Sequence, residues 1–232
     1  MSMPFYVSPE QMMADKAEYA RKGVALGKSS VTLEFEGGVI LMAENPSSLM
    51  KIGEIYDRVA FAGVGKFSEF DQLRKVGVRY ADTKGYAYSR DDVRARGLAN
   101  AYSQVMGDAF TQQMKPLEVE VIVAEVGDPS LVGHESSAIY RIVYDGSISD
   151  HTGFCVIGGA AEELNTVLRS DYREGMSLGD AIQLGQKALA HASDGGQQIP
   201  PENLEVGVLQ RDRTGRKFHR LSTDTLRESL GG

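Results

Sequence analysis

Three features of this sequence predict an α+β fold, a four-layer α-β-β-α sandwich with an extra N-terminal helix. Strand and helix periodicities arrive in blocks, helices come in pairs between the strand runs, and no repeat or low-complexity linker divides the chain. The order reads as one helix, about four strands, two helices, about three strands, two helices, two strands and a helix. A doubly wound parallel sheet would alternate strand with helix, so two stacked antiparallel sheets with a helix pair outside each suit this order better.

The first helix opens at Ser8-Pro9-Glu10-Gln11, where Ser8 suits the cap, Pro9 the first helical position, and Gln11 can complete a capping box. Met13, Ala17, Ala20 and Val24 follow on one face, a narrow stripe of small residues suited to packing against a neighbour. Ser30 to Phe35 and Val39 to Ala43 flank Gly37-Gly38, whose glycines tolerate the positive φ of a tight hairpin turn. Strands are expected again from Lys51 to Tyr56 and from Arg58 to Val64. Phe70, Leu73, Gly77 and Tyr80 then keep helical spacing, and after a cap at Ser89-Arg90-Asp91-Asp92 so do Leu98, Ala101, Val105 and Ala109. Leu117, Val119, Val121 and Val123 alternate as a strand. Two more strands, Ala138 to Tyr144 and Ile148 to Ile157, meet at the turn Asp145-Gly146-Ser147. Leu164, Val167, Leu168 and Tyr172 resume helical spacing, as do Leu178, Ala181, Ile182, Gly185, Ala188, Leu189 and Ala192 after a cap at Ser177. A strand from Leu204 to Leu209, a turn at Asp212 to Gly215, a strand into Leu221 and a short helix started by Ser222 complete the order.

A chain of 232 residues, 42% hydrophobic and 25% charged, has ordinary globular proportions. A single domain of this size buries roughly 70 to 75% of its unfolded surface without needing staples. The one cysteine, Cys155, excludes an internal disulfide and a cysteine-based metal cluster, and its setting GFCVIGG predicts a buried, unreactive thiol. A net charge of −7 argues against nucleic acid as a partner, and the basic group Arg211 to Arg216, broken by Asp and Gly, reads as a turn. No apolar run approaches the roughly 20 residues of a membrane helix, and MSMPFYVSPEQ has no secretory pattern. The expectation is a cytoplasmic protein with no membrane partner.

Among candidate sites, Ser48-x-x-Lys51 is the sharpest enzymatic reading, with Ser193-Asp194-Gly195 and Arg213-Thr214-Gly215 as variants of the second and third motifs of serine acyl-transfer enzymes. The order is right, but in those enzymes the first motif opens a helix, whereas Lys51 leads into the strand-like Ile52-Gly53-Glu54-Ile55. The other two stretches also suit a loop and a hairpin turn. Gly158-Gly159, between a strand and a helix, lacks the Lys-Ser/Thr of a nucleotide loop, so close packing accounts for it better. His134, His151, His191 and His219 lack ligand spacing, so neither a metal nor a cofactor is expected. Glu162-Glu163 and Asp91-Asp92 suit first helical turns, facing the positive end of the helix dipole.

Several motifs in order are specific to one family. The capped helix reaching Glu18-Tyr19-Ala20, the Gly37-Gly38-Val39 hairpin leading to Ala43-Glu44, and the Lys51-Ile52 strand resemble proteasome α subunits. With SPEQ, ENPSS, IYDRVAFAGVGKFSEFDQLR, YADTKGYAYSRDDV and YDGSI, the chain is similar to the actinobacterial type of α chain of the 20S core. The likeness covers nearly the whole length except the loop Gly127 to Ser137 and the C-terminal tail. It implies the N-terminal-nucleophile hydrolase fold, in agreement with the order read above. It also implies residues 1–7 as gate, 8–23 as the α-subunit helix, 24–221 as the sandwich and 222–232 as C-terminal helix and tail.

The resemblance implies a noncatalytic role, with no catalytic residue. In β-type relatives a threonine freed by cleavage is both nucleophile and, through its amine, part of the base system. Lining up Val39 to Glu44 with their strand puts Lys28 at that threonine's place, with Ser29 and Ser30 beside it. The implied partners are proteasome β subunits, neighbouring α subunits, and ring-shaped AAA ATPases or other activators that insert C-terminal tails. Met1, Ser2, Met3, Pro4, Phe5, Tyr6 and Val7 match the family's gate, Ser8, Pro9 and Tyr19 its gate turn, and Lys51 the lysine that receives an activator's terminal carboxylate. The plain alternatives are a disordered terminus, a solvated lysine and, for the whole chain, a self-contained serine or N-terminal-nucleophile hydrolase. The chain departs from the archaeal and eukaryotic pattern in carrying Gln11 for a glycine and one more residue between Pro9 and Tyr19.

Overall fold

Strands that are apolar on both faces need cover on both, and two sheets packed face to face with helices outside them meet that need. The computed structural model describes residues 8–192 and 196–231. Helix α1 (Pro9–Ala25) precedes strands β1 (Ser30–Phe35), β2 (Gly38–Glu44), β3 (Ile52–Tyr56) and β4 (Val59–Gly65), followed by helices α2 (Phe67–Ala87) and α3 (Ala95–Gln112). Strands β5 (Val119–Glu125), β6 (Ala138–Ile142), β7 (Ile148–His151) and β8 (Phe154–Ile157) lead into α4 (Ala161–Asp171) and α5 (Leu178–His191). Strands β9 (Leu204–Gln210) and β10 (Phe218–Arg220) and helix α6 (Thr223–Ser229) finish the chain.

Every pairing is antiparallel, in two five-stranded sheets ordered β10-β9-β2-β1-β8 and β3-β4-β5-β6-β7. The period of two then divides the core into three layers. Leu33, Ile40 and Met42 point outward to Ala181, Ile182 and Leu189 of α5. Val119, Val121 and Val123 point outward to Leu98, Tyr102 and Met106 of α3. Val39, Leu41, Ala60, Ala62, Ile122 and Ala124 face one another between the sheets. This is the expected four-layer sandwich. Cys155 lies in its central layer, where burial pushes the thiol up to about 12. Such a thiol is protonated and inert at neutral pH.

Helix α1 begins as its sequence predicts, with Ser8 Oγ accepting from the Gln11 amide, but Gln11 bonds Asp15 and leaves the capping box half made. It also runs two residues past the expected end at residue 23, because Val24 reaches the central layer. At the first hairpin only Gly38 of the glycine pair has positive φ, at 153°, and a Cβ there would strike the Leu209 carbonyl of the neighbouring β9.

Three expectations need correction. Ser89 caps a separate 3-10 turn, Arg90–Asp92, rather than α3, whose first amide, that of Ala95, donates to the buried Glu125 carboxylate at 2.8 Å. The buried face of α3 carries Tyr102 and Met106, while Val105 is 40% exposed, since the larger side chains fill the space over β5 and β6. The run Ile148 to Ile157 is two strands in different sheets: Gly153, at φ 81°, breaks it, so β7 pairs with β6 and β8 with β1. Leu117 and Tyr144 lie just outside their strands. The proposed gate, Met1 to Val7, and Ser193-Asp194-Gly195 lie outside the described residues.

Candidate functional site

The start of β1 meets the ends of β2 and α1 beside the α4 and α5 helices, and there the chain leaves a cavity of about 230 Å³. Leu26, Lys28, Ser29, Glu44, Ala160 and Leu189 are among its walls. Lys28 Nζ pairs with Glu44 Oε2 at 3.3 Å, the lysine about half exposed and the carboxylate mostly covered. Neither neighbouring hydroxyl is poised for attack. Ser30 Oγ donates to the Met42 carbonyl at 3.0 Å, and Ser29 Oγ accepts from the Ala160 amide at 3.4 Å. Both serines are buried.

Lys51 leads into β3 next to this cavity. Its amine donates to the main-chain carbonyls of Glu44 at 3.1 Å and Lys28 at 3.3 Å, so it is held rather than solvated. Burial holds the amine below the usual lysine range; Glu205 and Glu44 pull it back upward, and Lys28 pushes it further down. The backbone that carries the lysine is fixed from the other sheet. Glu205, buried on β9, accepts from the amides of Lys51 (2.9 Å) and Ile52 (3.0 Å), from Asn45 Nδ2 (2.7 Å) and from Arg220 Nη1 (2.8 Å). Arg220 also bonds the Ile52 carbonyl. A buried carboxylate with four donors is a fixed anchor for the strand ends around it.

The Ser-Lys reading loses its geometry here. Asn45 Oδ1 accepts from the Ser47 amide and hydroxyl, and Ser47 Oγ accepts from the Leu49 amide, so this serine-rich stretch is turn chemistry and no helix follows Ser48. Arg213-Thr214-Gly215 lies past the Gln210 end of β9, while Lys51 sits by the Leu204 end. Those ends are about 20 Å apart at strand spacing. Gly158-Gly159 is also accounted for: the Gly158 amide donates to Glu120 Oε2, and the turn packs on Ala25 and Ser29.

Ser8 and Pro9 open α1, and Tyr19 stands ten residues along the same helix, about 15 Å from Pro9 at helical rise. Within one chain they form no cluster. Tyr19 hydroxyl instead reaches Glu118 at 3.4 Å, with the Lys115 ammonium over its ring at 5.8 Å. Among the described residues no three metal-ligating side chains converge, and His134 bonds Arg58. No described helix is long and apolar enough to cross a membrane.

A two-sheet sandwich whose first hairpin opens on a lysine, with an ordered helix ahead of it, defines the scaffold of a proteolytic-core subunit. The proteasome subunit family model matches residues 24–209, and the chain belongs to that family. Within it the chain is of the α type found in actinobacteria. It is 52% identical to "Proteasome subunit alpha" of Sanguibacter keddieii, across 99% of this chain and 90% of that one. It is 53% identical to the protein of that name in Streptosporangium roseum (99% and 87%) and 50% to that in Thermobifida fusca (99% and 91%).

The sequence pointed to Lys51 through resemblance but not to Glu205, Asn45 or Arg220. The one local signal was charge: Glu205 interrupts an otherwise apolar strand. Replacing Glu205 by alanine strips four donors of their acceptor and leaves Arg220 without its buried partner. The Glu205→Ala chain is expected to lose about 3 kcal/mol of unfolding free energy, read by urea denaturation of the isolated chain.

Proposed function

We propose that this chain is a noncatalytic α-ring subunit of a bacterial 20S core. It assembles with copies of itself into heptameric rings on rings of β subunits, controls substrate access and docks ring-shaped ATPases or other activators, all in the cytoplasm. One observation carries the reading: the place a threonine would occupy in a β-type relative holds Lys28, which has no hydroxyl and whose amide nitrogen is inside the chain. Freeing it would require removal of all of α1. In the assembled α/β particle, serine- and threonine-directed covalent probes are expected to leave this chain unlabelled, by intact-mass measurement. An adduct at Ser48 would instead support the self-contained hydrolase.

Residues 1–7 are assigned the gate, with Ser8, Pro9 and Tyr19 as its turn. Residues 8–23 are then the ring-packing helix, 24–221 the sandwich, and 222–232 the C-terminal helix and tail. An apolar, proline-containing segment supports the gate, because symmetry-related copies can collapse together while each stays weakly held. Deleting residues 2–7 is expected to raise activator-free hydrolysis of loosely folded proteins by the α/β particle. An unchanged rate counts against the gate.

Lys51 is assigned the carboxylate of an activator's C-terminus. Support comes from a burial-depressed amine held beside a small cavity. Repetition around a ring makes modest individual docking effective. Lys51→Ala is expected to keep basal peptide cleavage and to abolish stimulation by the activator, and retained stimulation dismisses the assignment.

A further inference from the structure

Two of the three protons on the Lys51 amine are already committed, one to the Lys28 carbonyl and one to the Glu44 carbonyl. Lys51 therefore has one N–H left to offer a ligand. The cation that lines the cavity is Lys28, and the carboxylate lining it with Lys28 is Glu44, paired to it at 3.3 Å. Glu205 lies behind, fully engaged and neutralised by Arg220. Setting that pair aside, Glu44 is the carboxylate the two lysines share among the described residues.

We infer that Lys28 is a second carboxylate-binding residue beside Lys51, and that Glu44 is the internal carboxylate an incoming one must displace from it. The inference rests on the docking reading of Lys51 given above and adds a competitor to it. The ligand class follows from the walls. Leu26, Ala160 and Leu189 are apolar or small. The cavity, at about 230 Å³, is smaller than the roughly 300–1,000 Å³ usual for a small-molecule site. It suits a chain end with an apolar last residue and a free carboxylate. On binding, Glu44 gives up Lys28 to the incoming carboxylate, so the Lys28–Glu44 pair sets a threshold for docking.

Fluorescence anisotropy on the assembled α/β particle tests this with a labelled peptide, Gly-Ser-Gly-Ser-Ala-Ala-Leu, bearing a free C-terminal carboxylate, and with its C-terminal amide. The acid should bind more tightly than the amide. Glu44→Gln should tighten the acid about fivefold, and Lys28→Gln should weaken it about as much, the scale of a partly exposed ion pair. In a Lys28→Gln background Glu44→Gln should lose its effect, and the amide should respond to neither. Native gels check assembly. Should Glu44→Gln not assemble, Glu44→Asp, with its shorter reach, is expected to shift the acid in the same direction by less. If Glu44→Gln and Lys28→Gln leave acid binding unchanged while Lys51→Gln removes it, the inference falls and docking at Lys51 stands. If none of the three alters acid binding, or acid and amide bind alike, both fall.

Discussion

Buried carboxylates that must be satisfied tie this sandwich together. Removing an ionised carboxylate from water is costly unless it gains charged or hydrogen-bonding partners, so each one draws donors from several elements at once. Glu205 on β9 binds the backbone of β3 in the opposite sheet, the turn after β2, and Arg220. Glu125 at the end of β5 caps α3 through the Ala95 amide and pairs with Arg94 at 3.1 Å. Glu120 accepts two bonds from Arg141 of β6 and one from the Gly158 amide, which follows β8 in the other sheet. The apolar layers supply the driving force, and they are non-directional. The carboxylates supply the direction, fixing which strand end meets which.

The corner around Lys28 and Lys51 follows from that stitching. Glu205 aligns the start of β3 with the end of β2, and the Lys51 side chain then crosses to the carbonyls of Lys28 and Glu44. Helix α1, anchored by Ala20 and Val24, delivers the chain into β1 without a break, so Lys28 stands inside a continuous backbone. The cavity at this corner is thus bordered by an ion pair and the engaged Ser29, with Ser30 engaged next to it.

Much of this was legible in the sequence, because periodicity reports which faces are covered. The strands of both sheets, the paired helices and the caps at Ser8, Ser177 and Ser222 follow from local pattern. What was not legible depends on distant partners. No local signal shows that Glu125 rather than Ser89 caps α3, since the carboxylate arrives from a strand thirty residues on. Ala101 and Val105 match the helical period as well as Tyr102 and Met106 do, and only the space over β5 and β6 decides between them. The run Ile148 to Ile157 joins a polar, exposed half, Ile-Ser-Asp-His, to an apolar, buried one, Phe-Cys-Val-Ile, and that change with Gly153 marks the break. Lys51 stood out by resemblance, whereas its anchor Glu205 lies 154 residues away.

The sheet order β10-β9-β2-β1-β8 has a consequence for how the chain is made. Its centre is the first hairpin to leave the ribosome, but the strands on either side of that hairpin come from the last third of the sequence. During synthesis the β1–β2 hairpin, with β2 apolar on both faces, therefore has both edges open until β8 and β9 are translated. Such open edges pair readily with other chains. The β3-to-β7 sheet, whose strands follow one another in sequence, is complete earlier and offers the hairpin a face to rest on. The topology thus makes a covering face for the first hairpin available before its own sheet neighbours are translated.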